Sequence, residues 1–193
     1  GGQPFSVQNL RDVRALADKY KIRLVLDCSL LGENAYLVLQ REEEFKNSNM
    51  ETVIKTMTGL ADICYFSARK LSSSRGGGIC TDSLEIFREL EAFVPLYEGF
   101  LTYGGMSIRE VEAMAVGLYE TLDETIISQS PTFIKYLVEQ LDNKGIPVIK
   151  PAGVLGVGND QGAVGADGHA ADIATEGIVL LGVAPAPVHH GGI

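Results

Sequence analysis

Apolar positions change period twice within the first third of the chain. Val7, Leu10, Val13, Leu16 and Ala17 recur at helical spacing behind Ser6, a good N-cap residue, so the pattern predicts a helix over residues 6–19. Ile22 to Leu26 is a short run rich in β-formers, which predicts a strand with Asp27 at its carboxyl end. Helical spacing returns from Met50 to Leu60, and a second β-rich run spans Ile63 to Phe66, followed by Ser67-Ala68-Arg69-Lys70. Helix and strand in alternation build an α/β fold with a parallel sheet. Ligands of such sheets collect beyond the carboxyl ends of the strands, where both Asp27 and Lys70 would lie.

Further along, Ser72 to Gly78 reads as a loop with three hydroxyls and three consecutive glycines, leading to a short strand at Ile79-Cys80. Asp82 or Ser83 is placed to cap a helix running to about Phe93. Met106 to Leu122 and Pro131 to Leu141 predict two more helices, the latter stopping at Asn143-Lys144-Gly145, and Ile146 to Ile149 predicts a strand. From Pro151 the composition changes: ten of the 22 glycines and all three histidines fall there, with no lysine or arginine. In this tail Ala170 to Glu176 fits a short helix and Ile178 to Val183 a strand, and the rest, including Ala184-Pro185-Ala186-Pro187, reads as loop.

With 193 residues, 46% of them hydrophobic, the chain can bury a substantial core. Its net charge of −9 argues against a nucleic-acid partner, which would call for a basic face. Cys28, Cys64 and Cys80 lack the close spacing of a zinc or redox motif and point to a reducing compartment. No stretch reaches the ~20 apolar residues of a membrane span, so a cytoplasmic location is expected. His189 and His190 are adjacent and point apart, with His169 well upstream, so no metal site is expected.

A lysine beyond one strand and a carboxylate at the end of an earlier one are what a pyridoxal phosphate enzyme requires. The amine bonds to the cofactor aldehyde, and the carboxylate keeps the pyridine nitrogen protonated. Other words stand around this pair in order: Gly1-Gly2-Gln3-Pro4, Asp27-Cys28-Ser29, Glu33-Asn34-Ala35-Tyr36, Ser67-Ala68-Arg69-Lys70, Gly76-Gly77-Gly78, and Glu98-Gly99-Phe100-Leu101-Thr102-Tyr103-Gly104-Gly105. In that order and spacing the chain resembles the tryptophanase and tyrosine phenol-lyase family, the aromatic amino acid β-eliminating lyases, from Gly1 to about Gly156.

The resemblance implies the fold of type I pyridoxal phosphate enzymes. Residues 1–105 would form the later part of the large cofactor domain with a mainly parallel sheet, 106–145 the connecting helices, and 146–193 a small-domain segment that diverges from about 157. It implies pyridoxal 5′-phosphate as cofactor, with a monovalent cation such as K⁺ beside it. Lys70 would be the catalytic, cofactor-linked lysine, Asp27 the partner of the ring nitrogen, and Ser67 a donor to the cofactor phosphate. The substrate would be an aromatic L-amino acid, with tryptophan split to indole, pyruvate and ammonia favoured by Ala68 and by Glu98-Gly99-Phe100. The partners implied are further copies of the chain, in a dimer or tetramer, and an amino-terminal half. A start at Gly1, inside a family word, reads as part of a longer protein.

Glu33-Asn34-Ala35-Tyr36 is assigned to structure, with Glu and Asn capping a helix start, and Tyr103-Gly104-Gly105 to a loop. Four positions depart from the family: Leu30 and Val179 stand where it carries arginines, Leu71 where it carries an aspartate, and Arg75 about where it carries an asparagine near the cation. Losing the substrate-carboxylate arginine would remove a bidentate clamp. Two alternatives therefore stay open: a threonine-aldolase-like enzyme of the same fold, and a remnant that keeps the scaffold without the activity.

Overall fold

The computed structural model describes residues 3–154 in full and the backbone of 157–159, 162–164 and 178–182. Helix α1 (Val7–Tyr20) begins where Ser6 Oγ accepts the Asn9 N–H at 3.0 Å and ends at Lys21, which adopts a left-handed conformation. It buries Val7, Leu10 and Ala17. Strand β1 (Val25–Asp27) starts later than the apolar run predicts. The backbone just before it is held by Asp62, whose Oδ2 accepts the Leu24 N–H at 2.6 Å while Leu24 O accepts the Asp62 N–H at 2.9 Å.

Helix α2 (Leu31–Arg41), a 3-10 turn (Glu43–Phe45) and helix α3 (Met50–Thr58), capped by Asn49, lead to β2 (Ile63–Ser67). One helical turn, α4 (Ala68–Leu71), separates β2 from β3 (Gly77–Thr81). Then come α5 (Leu84–Glu91), capped by Ser83, and the short α6 (Val94–Tyr97). Helix α7 (Ile108–Glu120) opens with a capping box between Ser107 and Glu110, and α8 (Glu124–Ile127) and α9 (Gln129–Asn143) follow. The remaining strands among the described residues are β4 (Val157–Asn159), β5 (Gly162–Val164) and β6 (Ile178–Gly182).

The main sheet has the order β1-β2-β3-β6. β1 runs parallel to β2 with Asp27 opposite Tyr65, β3 runs antiparallel to β2, and β6 parallel to β3. Strand parity divides the sheet into two faces. Leu26, Cys64 and Phe66 join the core with Val7, Leu10, Ala35, Val38, Val53 and Met57 from α1, α2 and α3. Val25 and Tyr65 occupy the other face and stay exposed. Among the described residues no helix is long and apolar enough to cross a membrane.

Three sequence expectations are corrected. Residues 146–149 form no strand: the Ile146 N–H closes α9 by donating to Leu141 O, and Pro147 has no N–H to give a ladder. Glu33 and Asn34 do not cap α2, whose N-cap is Leu30 with no side-chain bond; Asn34 has a different structural task, described below. The stretch read as loop after Pro151 contains the antiparallel pair β4–β5. The helix expected at 170–176, the loop at 184–187 and the three histidines lie outside the described residues.

Candidate functional site

Asp27 and Lys70 emerge from the same end of two paired parallel strands. Asp27 is the last residue of β1, and Lys70 lies in the turn α4 directly after β2. Both are exposed. At 3.6 residues per turn, a four-residue helix that buries Ala68 and Leu71 must turn Arg69 and Lys70 outward. Ser67 closes β2 and stands at the N-cap of α4 without its side chain bonding there.

Short hydrogen bonds fasten the two strand ends together. The Ser29 N–H donates to Asp27 Oδ1 at 2.9 Å, and Ser29 Oγ accepts the Ser67 N–H at 3.1 Å. The Cys28 N–H donates to Tyr65 O at 2.7 Å. The turn that carries Lys70 is pinned from behind: the Ala68 N–H donates to Gly76 O, and Thr121 Oγ1 on the end of α7 donates to Leu71 O at 2.7 Å. Ser74 Oγ donates to Glu110 O, tying the loop after Lys70 to the start of α7. Leu71, where the family carries an aspartate, is a core residue, and Val179 sits in β6 opposite Gly78.

Several titratable groups near this end carry shifted pKa values. Burial pushes the Glu33 carboxyl, in the first turn of α2, above the usual carboxylate range. The Tyr65 phenol is pushed up by burial and then by the adjacent Asp27 carboxylate. Neither side chain belongs to the cofactor set expected from the sequence. Tyr65 lies in no motif, and its only sequence signal is its parity in the strand before Lys70. The Cys28 thiol, buried beside Cys64, is raised by a hydrogen bond with Cys64 and by desolvation, so it stays protonated and serves as packing.

A separate cleft of about 460 Å³ opens between the second half of α2, α9 and residues 150–153, lined by Tyr36, Arg41, Pro131, Lys135 and Pro151 among others. At 1.5 Å per residue, Arg41 is about 15 Å along α2 from its start beside Asp27, so this cleft is not the Asp27–Lys70 site.

This is an α/β chain with a carboxylate, a hydroxyl and an amine gathered at the carboxyl end of neighbouring strands. The family model described as beta-eliminating lyase matches residues 1–190, and the chain belongs to that family. A tyrosine phenol-lyase of Pasteurella multocida is 36% identical over 154 residues, which is 79% of this chain and 34% of the relative. A probable tryptophanase of Aeropyrum pernix is 37% identical over 79% of this chain and 33% of its own length. A probable beta-eliminating lyase of Trichomonas vaginalis is 40% identical over 79% of this chain and 34% of its own. The chain thus spans about a third of the length of the curated relatives it matches.

Proposed function

We propose that this chain is the lysine-bearing part of a pyridoxal phosphate-dependent lyase that eliminates the aromatic group from an aromatic L-amino acid, tryptophan giving indole, pyruvate and ammonia. The observation that carries the reading is the placement of Asp27 and Lys70 at the same end of paired parallel strands. The chemistry of the set fits the group: Asp27 offers a carboxylate to a protonated ring nitrogen, Ser67 a hydroxyl to a phosphate, and Lys70 an amine to an aldehyde. When bound, the cofactor supplies an electron-withdrawing ring that stabilises negative charge at the substrate α-carbon.

In this reading Asp27 holds the ring nitrogen in its charged form. Lys70 would hold the cofactor through its amine, and its Nζ would carry the proton taken from the substrate Cα. Ser67 Oγ donates to the phosphate, and the ties through Ser29 keep that hydroxyl in step with Asp27. Residues 1–105 act as the later part of the large domain, 106–145 as connecting helices and 146–193 as the small-domain segment, with β6 reaching back to the sheet of the large domain. Other copies of the chain and an amino-terminal portion complete the site, with K⁺ as the accompanying cation. Relatives named for tyrosine and for tryptophan match equally well, so the preference for tryptophan rests on Ala68 and Glu98-Gly99-Phe100.

A second reading, a scaffold without activity, is favoured by one observation: Val179 is a sheet residue opposite Gly78, with no guanidinium there to grip a substrate carboxylate. The test is reductive trapping. Pyridoxal phosphate added to the protein should give the visible band of a lysine-linked cofactor, and borohydride followed by peptide mass analysis should locate the label on Lys70. Lys70→Ala should abolish the band and Arg69→Ala should keep it. A label on another lysine overturns the site. A band without turnover of tryptophan, tyrosine or threonine by the full-length protein favours the inactive scaffold.

A further inference from the structure

Tyr65 is tied to the Asp27 end of β1 in two ways. The two are register partners across the parallel pair β1–β2, on the sheet face that α1, α2 and α3 leave uncovered. Residues in register on neighbouring strands project to the same side about 4.8 Å apart, so the phenol and the carboxylate are neighbours by topology. In addition, Tyr65 O accepts the Cys28 N–H at 2.7 Å and so fixes the residue that follows Asp27. From the other direction, the Ser29 N–H holds Asp27 Oδ1.

We propose that Tyr65 is a positioning residue for Asp27, its phenol donating to the carboxylate so that Asp27 presents a fixed oxygen at the carboxyl end of β1. This deepens, and rests on, the reading of Asp27 as the partner of the cofactor's ring nitrogen. An exposed aspartate at a strand end turns about its side-chain bonds. A carboxylate held by one backbone and one phenolic donor keeps its plane, and a fixed plane is what a directional bond to a ring N–H requires. The titratable neighbours of the phenol are Asp27 and the protonated Cys28 thiol.

The pair is tested first without cofactor. In protein labelled at tyrosine Cζ, the Tyr65 resonance, identified by its loss in Tyr65→Phe, should titrate above the ordinary tyrosine value of about 10. Asp27→Asn should lower that midpoint, leaving only the part due to burial. An unchanged midpoint in Asp27→Asn overturns the proposal. The second arm adds pyridoxal phosphate to the full-length protein. Tyr65→Phe should weaken binding about fivefold, the equivalent of one hydrogen bond. It should also change the circular dichroism of the bound chromophore, because the ring orientation relaxes, while the lysine-linked absorbance stays in place. Equal affinity and equal dichroism in Tyr65→Phe overturn the positioning role. If neither protein takes up the cofactor, the proposed function fails while the first arm still decides the Tyr65–Asp27 pair.

Discussion

Gly117 of α7 packs directly on the backbone of Ser72, so that a Cβ at position 117 would overlap the Ser72 carbonyl oxygen. This contact, with Thr121 Oγ1 one turn later donating to Leu71 O, seats α7 against the turn that carries Lys70. Gly117→Ala should therefore destabilise the chain by about 1–3 kcal/mol, the usual range for overpacking. Because backbone rather than a flexible side chain opposes the new methyl, the turn must shift with it, and the variant should also lose cofactor uptake. Denaturant midpoints and the visible band of added pyridoxal phosphate measure the two effects. A neutral Gly117→Ala would show that α7 is not seated this closely.

Asn34 clasps the backbone of Phe5 from both sides: its Oδ1 accepts the Phe5 N–H at 2.9 Å and its Nδ2 donates to Phe5 O at 3.1 Å. Asn34 is buried, so Asn34→Ala would leave both Phe5 groups short of partners and should cost about 2 kcal/mol. Amide exchange at Phe5 should rise with it. Asn34→Asp is the informative comparison, since it keeps the acceptor, loses the donor and buries a charge; it should fall below both the wild type and Asn34→Ala. An Asn34→Ala variant as stable as wild type would remove the clasp from the structure's account.

The legibility of this fold follows the range over which each feature is set. Helices α1, α3 and α5 and strand β2 are local: Ser6, Asn49 and Ser83 cap within three residues, and the apolar periods need no distant partner. The direction of β3 is not local. The one-turn connection through α4 leaves too few residues for a crossover, so β3 returns antiparallel, a consequence visible only once Ala68–Leu71 is known to be a single turn. Asn34 reads as a cap in sequence because its use, 29 residues back at Phe5, is tertiary. The position of Asp27 and Lys70 at the carboxyl end of neighbouring strands is legible because each follows a short β-rich run. That of Tyr65 is not, because register between β1 and β2 puts it beside Asp27 and register is absent from a one-dimensional pattern.

Acid should weaken the fold through Asp62. Its carboxylate is held below the ordinary range first by the hydrogen bond from Arg14, at 2.8 Å, and then by the Leu24 N–H. A carboxyl whose folded pKa is depressed contributes stability that is present above its unfolded value, about 4, and is lost as pH falls through the folded value. Stability should thus decline below about pH 4, and Asp62→Asn should flatten that part of the curve while lowering stability at neutral pH. The pair is partly exposed and the contribution modest. Unfolding free energies from pH 3 to 7 for both proteins check it; parallel curves would mean that other carboxylates set the acid limit.

The chain should associate when expressed alone. Apolar surfaces among the described residues lack cover, among them the sheet face bearing Val25 and Tyr65 and the segment around α6, where Leu96, Tyr97 and Phe100 are 70%, 72% and 72% exposed. Phe93 stacks on Tyr97 with ring centroids 6.2 Å apart, and Phe100 lies against Tyr103 at 5.9 Å, so these exposed rings pair off instead of standing singly. Soluble monomers seldom display apolar patches beyond a few hundred Å², and the edge of β1, unpaired among the described residues, adds backbone donors and acceptors. Light scattering after size exclusion should therefore report oligomers or aggregates. Replacing Leu96 and Phe100 by lysine should raise the monomer fraction without lowering the unfolding midpoint, since neither side chain is buried. A sharp monomer peak from the unaltered chain, with cooperative unfolding, would refute this and show that the exposed surfaces are tolerated in water.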